Sequence, residues 1–129
     1  MTDTYIYLIR ENDWKSDAYL PGAEPSDEAD AAMTFGEHQA FQAAVTELGA
    51  RIVAGDALQS AKYGGVVAPG QGDRKIEDAV YTDSPYADSS ELITGFYAVE
   101  VEDEATARKV AAMVPTGGTI EWRKVFPMG

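Results

Sequence analysis

The spacing of apolar and polar positions along this chain predicts two helices among several short strands. Near the start, Tyr5-Ile6-Tyr7-Leu8-Ile9 is aromatic and β-branched and ends at the polar run Arg10-Glu11-Asn12-Asp13, which predicts a buried first strand. From Glu11 to Asp27, Asn12, Asp13, Pro21, Gly22 and Pro25 break any periodicity, so this stretch reads as a loop packed by Trp14 and Tyr19. A helix follows with two candidate starts. Ser26-Asp27 can cap an early turn, while Thr34-Phe35-Gly36-Glu37 fits a capping box that would begin the main helix afresh, with Gly36 as a point of kinking. Phe35, His38, Phe41, Val45 and Leu48 then recur at helical spacing, and Gly49 stops the helix.

Strands are expected at Arg51–Gly55, Tyr63–Ala68 and Ile76–Thr82. The last two would be antiparallel neighbours joined through Pro69-Gly70-Gln71-Gly72-Asp73. Leu92 to Val101 is apolar on both faces, as a central strand covered on both sides should be. The second helix opens on Asp103-Glu104, where negative charge suits its positive end. It carries Ala107, Val110, Ala111 and Val114 on one face and stops at Pro115, and Thr119–Phe126 closes the chain as a strand. The order β, α, β, hairpin, β, α, β is that of an α+β, ferredoxin-like split βαβ fold with an inserted hairpin, and no repeat or linker divides residues 1–129. Two helices cover one face of such a sheet. No remaining segment is large enough for the other, so a second copy packed sheet on sheet is expected, making a homodimer.

Composition narrows the chemistry. The 129 residues contain no cysteine, which removes disulfides, thiolate catalysis and iron–sulfur ligation and suits a reducing cytoplasm. The short apolar run at the N-terminus is not of signal-peptide or membrane-span length, and a cytoplasmic location is expected. Twenty-two acidic residues against ten basic give a formal charge of −12. Such a field repels nucleic acid and anionic membranes, and its ordinary role is solubility. Neither a dinucleotide fingerprint, a phosphate loop nor a Gly-x-Ser-x-Gly elbow is present. One histidine with scattered carboxylates predicts no metal site, and no cofactor is expected.

Three stretches carry a resemblance: Val53-Ala54-Gly55-Asp56-Ala57-Leu58, then Tyr81-Thr82-Asp83-Ser84-Pro85-Tyr86-Ala87-Asp88, then Gly95-Phe96-Tyr97. Together they resemble the YCII-related family, in particular its DGPF-type branch. That pattern has an Asp-Gly-Pro-Phe loop, then Ala-Glu-Thr-Lys-Glu, then a Gly-Gly-Phe-type strand. Asp83, Pro85, Ala87 and Glu91 match it, whereas Ser84, Tyr86 and Ser90 stand where the pattern has glycine, phenylalanine and lysine. The resemblance implies a dimeric α/β barrel in which a helix histidine and nearby acids line a cleft.

His38 is the sole histidine, lies within the apolar arc of its helix, and matches the family's helix histidine. Two readings stay open for it: a general base beside a carboxylate, or a partly buried ring bonded to a backbone carbonyl. Glu47, nine positions on, falls on the opposite side of the helix at about 100° per residue. Asp56 and Asp83, each just past a strand end, are the better partners, though aspartate at such places also serves simply as a turn residue. Tyr86 and Ser84 are the ligand-binding candidates of the Asp83 loop, and Tyr86 equally suits plain ring burial. Two functions follow. One is a small-molecule enzyme doing His/Asp acid–base chemistry, an isomerisation or elimination, in a barrel cleft. The other is a non-catalytic small-molecule-binding or regulatory dimer.

Overall fold

The computed structural model describes residues 2–20, 28–82 and 92–128. Four strands form an antiparallel sheet: β1 (Asp3–Glu11), β2 (Arg51–Ala57), β5 (Leu92–Val101) and β6 (Thr119–Lys124), in the spatial order β2-β5-β1-β6. Helix α1 (Glu28–Glu47) connects β1 to β2, and α2 (Glu104–Met113) connects β5 to β6. This order, with both crossovers helical, is the ferredoxin-like split βαβ arrangement that the chain order predicts. Strands β3 (Val66–Ala68) and β4 (Val80–Thr82) make a separate two-stranded hairpin between β2 and β5.

Alternation along β1 and β5 decides which side chains meet the helices. Tyr5, Tyr7 and Ile9 point one way, and β5 supplies Tyr97, Val99 and Val101 to the same side. Phe41 and Val45 from α1 and Ala107 and Val110 from α2 complete this core, in which Tyr7, Val45, Val99 and Val110 are almost fully inaccessible. Burying one phenol in such surroundings requires a partner for its hydroxyl. Tyr7 donates to the carbonyl of Ala107 at 2.8 Å, and burial, with Tyr5 beside it, pushes its ionisation well above the usual range.

Several elements differ from the sequence pattern for identifiable reasons. Helix α1 runs unbroken through Gly36, so the Thr34–Glu37 capping box lies inside it; the earlier cap, Ser26-Asp27, falls outside the described residues. One glycine costs a helix about 1 kcal/mol, too little to end twenty residues of it. The apolar stripe of α1 is also shorter than its spacing suggests. Phe41 and Val45 are buried and His38 half-buried, but Phe35 is 55% exposed and Leu48 lies at the surface, where the chain turns at Gly49 with φ of +81°. The two inserted strands shrink to three residues each. Ser60 accepts from the backbone amide of Lys62 and opens a 3-10 turn over Ala61–Tyr63, and a second such turn occupies Ile76–Asp78. Their antiparallel pairing is as expected, Val67 lying opposite Tyr81.

The described part of the loop after β1 is tied to the segment after β2. Asp13 accepts from the Ser60 hydroxyl and the Ala61 amide, Ser16 Oγ accepts from the Ser60 amide, and Asp17 holds both Lys62 and Tyr63. Trp14 stacks on Tyr19 with centroids 5.6 Å apart, the packing expected of this pair. Neither helix is long and apolar enough to cross a membrane, among the described residues.

Two substitutions test this account. Tyr7→Phe should lower stability by about 1 kcal/mol through loss of one buried hydrogen bond, read as a shift of the urea midpoint at unchanged slope. Asp103 caps α2, accepting from the Thr106 amide at 2.7 Å, and that bond holds its carboxyl below the usual aspartate range. A depressed carboxyl contributes stability above its unfolded pKa and loses it as pH falls through the folded one. Asp103→Ala should therefore be destabilised at pH 7, and its deficit against the parent protein should close in acid.

Candidate functional site

A cavity of about 260 Å³ opens between the C-terminal end of β1, the middle of α1 and the β2–β5 pair. Its lining side chains include Glu11, Trp14, Phe35, His38, Gln42 and Tyr97. Each arrives there for a local reason. His38 lies one turn before the buried Phe41 on α1, so it reaches the sheet near its open end. Tyr97 comes from the helix-facing set of β5, and its ring packs on Phe41 at 4.8 Å and on His38 at 5.8 Å between centroids. Gly55 lies directly opposite Tyr97, and a Cβ there would sit 2.7 Å from the phenol ring. A side chain at position 55 would push Tyr97 out of place.

The central contact is a 2.6 Å hydrogen bond between His38 Nδ1 and the Tyr97 hydroxyl. Neither sequence reading of His38, a carboxylate partner or a backbone carbonyl, describes it. Burial favours the uncharged imidazole and sets its pKa below the ordinary value, while the carboxylates of Glu11 and Glu37 pull in the opposite direction without overcoming it. Burial raises the Tyr97 phenol, and a hydrogen bond from Gln42 opposes that rise. The pair is neutral near pH 7, joined by one bridging proton, and its bond occupies Nδ1. Exchange of a proton with a bound molecule thus falls to Nε2.

Glu11 is placed by three residues from two distant segments. Its carboxylate accepts from Thr94 Oγ1 at 2.7 Å, from the Gly117 amide at 2.9 Å and from Thr116 Oγ1 at 3.3 Å. Glu11 continues the alternation of Tyr5, Tyr7 and Ile9 along β1, and the β1–β5 pairing skips Thr94 between Gly95 and Ile93. Sequence reasoning took Arg10-Glu11 as the start of a turn and missed this role. Tyr97, Gln42, Trp14 and Phe35 were missed as site residues too. The one signal for Tyr97 was its place in the Gly95-Phe96-Tyr97 stretch.

Asp56 lies within β2, one residue before its end, and lines the same cavity. It pairs with Phe96, so its side chain takes the side of the sheet away from the helices, and its charge has no part in the shift at His38. The carboxylate acting on His38 from the cavity wall is Glu11. Asp83, Ser84 and Tyr86 lie outside the described residues. Among the described residues no three His, Asp or Glu side chains gather as a metal-binding group.

A second cavity, of about 480 Å³, lies between Arg10, Ile93 and the segment Leu58–Val66. It is larger, but neither His38 nor Glu11 reaches it. On chemistry rather than size, the His38 cavity is the candidate site.

The imidazole provides a direct check. In the parent protein its NMR titration midpoint should fall below the ordinary 6.5, and Glu11→Gln or Glu37→Gln should lower it further by removing an opposing charge. Because the folded pKa is depressed, the unfolded chain binds the proton more readily. Stability from this group should be complete above pH 6.5 and fall with decreasing pH through that window.

Comparison with curated proteins finds no match. The family model of the YCII-related domain matches residues 18–129, which spans α1, the hairpin, β5, α2 and β6 and includes His38 and Tyr97 but not Glu11 or Trp14. The chain belongs to the YCII-related family.

Proposed function

We propose that this YCII-related protein is a small-molecule enzyme that moves a proton at the His38 cleft, in an isomerisation or elimination. The observation that carries the reading is the His38–Tyr97 bond inside a cavity walled by a fixed carboxylate. In the tautomer where Nδ1–H donates to the Tyr97 oxygen, the phenol orients the ring and Nε2 is the unprotonated nitrogen, able to act as base, then acid, on a substrate carbon or oxygen. Glu11, in the same cavity, steadies the imidazolium formed midway, as the direction of its effect on His38 supports. This is histidine acid–base chemistry with Glu11 and Tyr97 in the supporting place that the sequence suggested for Asp56, while Asp83 lies outside the described residues.

A second reading, a non-catalytic binding module, draws on Ser90, which stands where the family pattern has lysine. Proton exchange separates the two without knowledge of the substrate. The protein is incubated in D2O with a panel of cyclic carbonyl compounds and lactones, and loss of α-proton signal is followed by NMR. Catalysis predicts exchange in at least one compound, abolished in His38→Ala and reduced roughly 10²-fold or more in Tyr97→Phe, both still folded by circular dichroism. Exchange equal in the parent and His38→Ala would leave the binding module.

A homodimer belongs to the same proposal. The sheet face away from the helices carries Ile6, Leu8, Ala54, Phe96 and Ala98, and no described helix covers it. Arg10–Glu121 at 2.9 Å and Arg51–Glu100 at 3.2 Å lie toward its margins. An apolar strip with charged borders suits a second copy packed face to face. Light scattering at micromolar protein should give twice the 13.9 kDa chain mass, and Ala54→Arg, at an exposed edge-strand position, should shift it toward one chain.

A further inference from the structure

We propose that the His38 cleft takes a cationic ligand, an amine or quaternary ammonium borne on an apolar or aromatic body. The inference rests on the reading that this cleft is the ligand site and specifies what enters it.

Charge is the first argument. The three donors that fix Glu11, two hydroxyls and one backbone amide, are all neutral, so they orient its carboxylate without cancelling its charge. No ion pair among the described residues involves Glu11, and none of the described lining residues is a lysine or arginine. Lys15, next to Trp14 in the chain, is exposed and lies outside the lining. The segments 21–34 and 83–91 contain no basic residue either, while Glu24, Asp27, Glu28, Asp30, Asp83, Asp88 and Glu91 are acidic. Those two segments therefore contribute no cationic side chain to offset Glu11. Glu37 adds its field from α1, and the half-buried imidazole prefers to be uncharged. An anionic ligand would meet one fixed carboxylate and no counter-charge from the described wall. A cation would meet a preset partner.

The second argument is shape. Trp14 and Phe35 line the cleft with Tyr97, and Tyr19 joins them, stacked on Trp14 and edge-on to Phe35 at 6.4 Å. The Trp14 indole N–H is taken by the Leu58 carbonyl at 2.8 Å, which fixes the ring at the cavity wall. Phe35 keeps 55% of its surface exposed, apolar area at the cavity rim that a ligand would cover. Aromatic faces attract cations, most strongly when water is excluded, and with a carboxylate they form the usual recognition chemistry for ammonium groups. The cavity, about 260 Å³, accommodates an amine of roughly a dozen heavy atoms.

The test uses three probes of similar size and different charge: benzyltrimethylammonium, benzyl alcohol and phenylacetate. Each is titrated into the full-length protein at 0.15 M salt, and the signals of the single imidazole are followed by NMR. The expected result is saturable shifts with benzyltrimethylammonium at least roughly tenfold tighter than with phenylacetate. Glu11→Gln and the surface variant Glu37→Gln should each weaken that binding several-fold and leave benzyl alcohol unchanged. Glu37→Gln keeps the test decisive should Glu11→Gln fail to fold. Phenylacetate bound as tightly as the cation, or cation binding indifferent to both variants, overturns the ligand class while leaving the cleft as a binding site. Imidazole signals that move with none of the probes, in a protein that shows no His38-dependent proton exchange, overturn the site and the inference together.

Discussion

Tyr97 is the residue on which both the core and the site depend. Its ring is bounded by Phe41 on the helix side, by Gly55 across the strand pair and by His38 at its hydroxyl. Packing fixes the ring, and the ring in turn fixes the imidazole. A histidine on an isolated helix face would sample several rotamers, and each would present a different nitrogen to solvent. Here the phenol hydroxyl selects Nδ1, because the ring that carries it cannot move without displacing Phe41 or meeting the β2 backbone. The apolar interior thus does for His38 what a buried carboxylate does in other acid–base pairs, with no charge added to the core.

That arrangement explains why the neutral imidazole and the fixed carboxylate coexist. Burial disfavours charge on His38, and Glu11 favours it, so the two influences oppose one another at one ring. A base that is neutral at rest and has an anion within reach when protonated is suited to reversible proton transfer. A closer Glu11 would favour the imidazolium more strongly, and its loss would leave burial less opposed. Thr94, Thr116 and Gly117 hold the carboxylate between these limits.

How much of this was legible in the sequence follows from the range of each interaction. Strand β5 and helix α2 were legible to within a residue, because their signals, a continuous apolar run and a capping aspartate before a periodic face, are local. The ferredoxin-like order was legible from the succession of elements. Helix α1 misled at Thr34–Glu37, where local capping chemistry was present but the helix had already begun upstream. In β5, apolar character on both faces hid which residue faces the helices, so Tyr97 could not be told from Phe96. Register against β1 and β2 settles it, and register is set between strands far apart in sequence. Glu11 is harder still: it continues the alternation of Tyr5, Tyr7 and Ile9, but the donors that fix its carboxylate lie 83 to 106 residues away. Asp56 illustrates the converse. A carboxylate just beyond a predicted strand end looked free to turn inward, but β2 continues to Ala57 and strand alternation places the side chain on the other face.

Successive residues on the same two strands therefore build opposite surfaces. Gly55 and Tyr97 belong to the cleft, while Asp56 and Phe96 belong to the face away from the helices. A one-residue slip of β2 against β5 would exchange the two β2 sets, sending Gly55 off the Tyr97 ring and turning Ala54 and Asp56 toward the helices, so both surfaces require the same register. The irregularity between Ile52 and Ala54 precedes this stretch, and the pairing from Ala54 to Ala57 is regular. The part of the sheet that supports the imidazole is thus also the part whose alternation puts Ala54, Phe96 and Ala98 together on the opposite face.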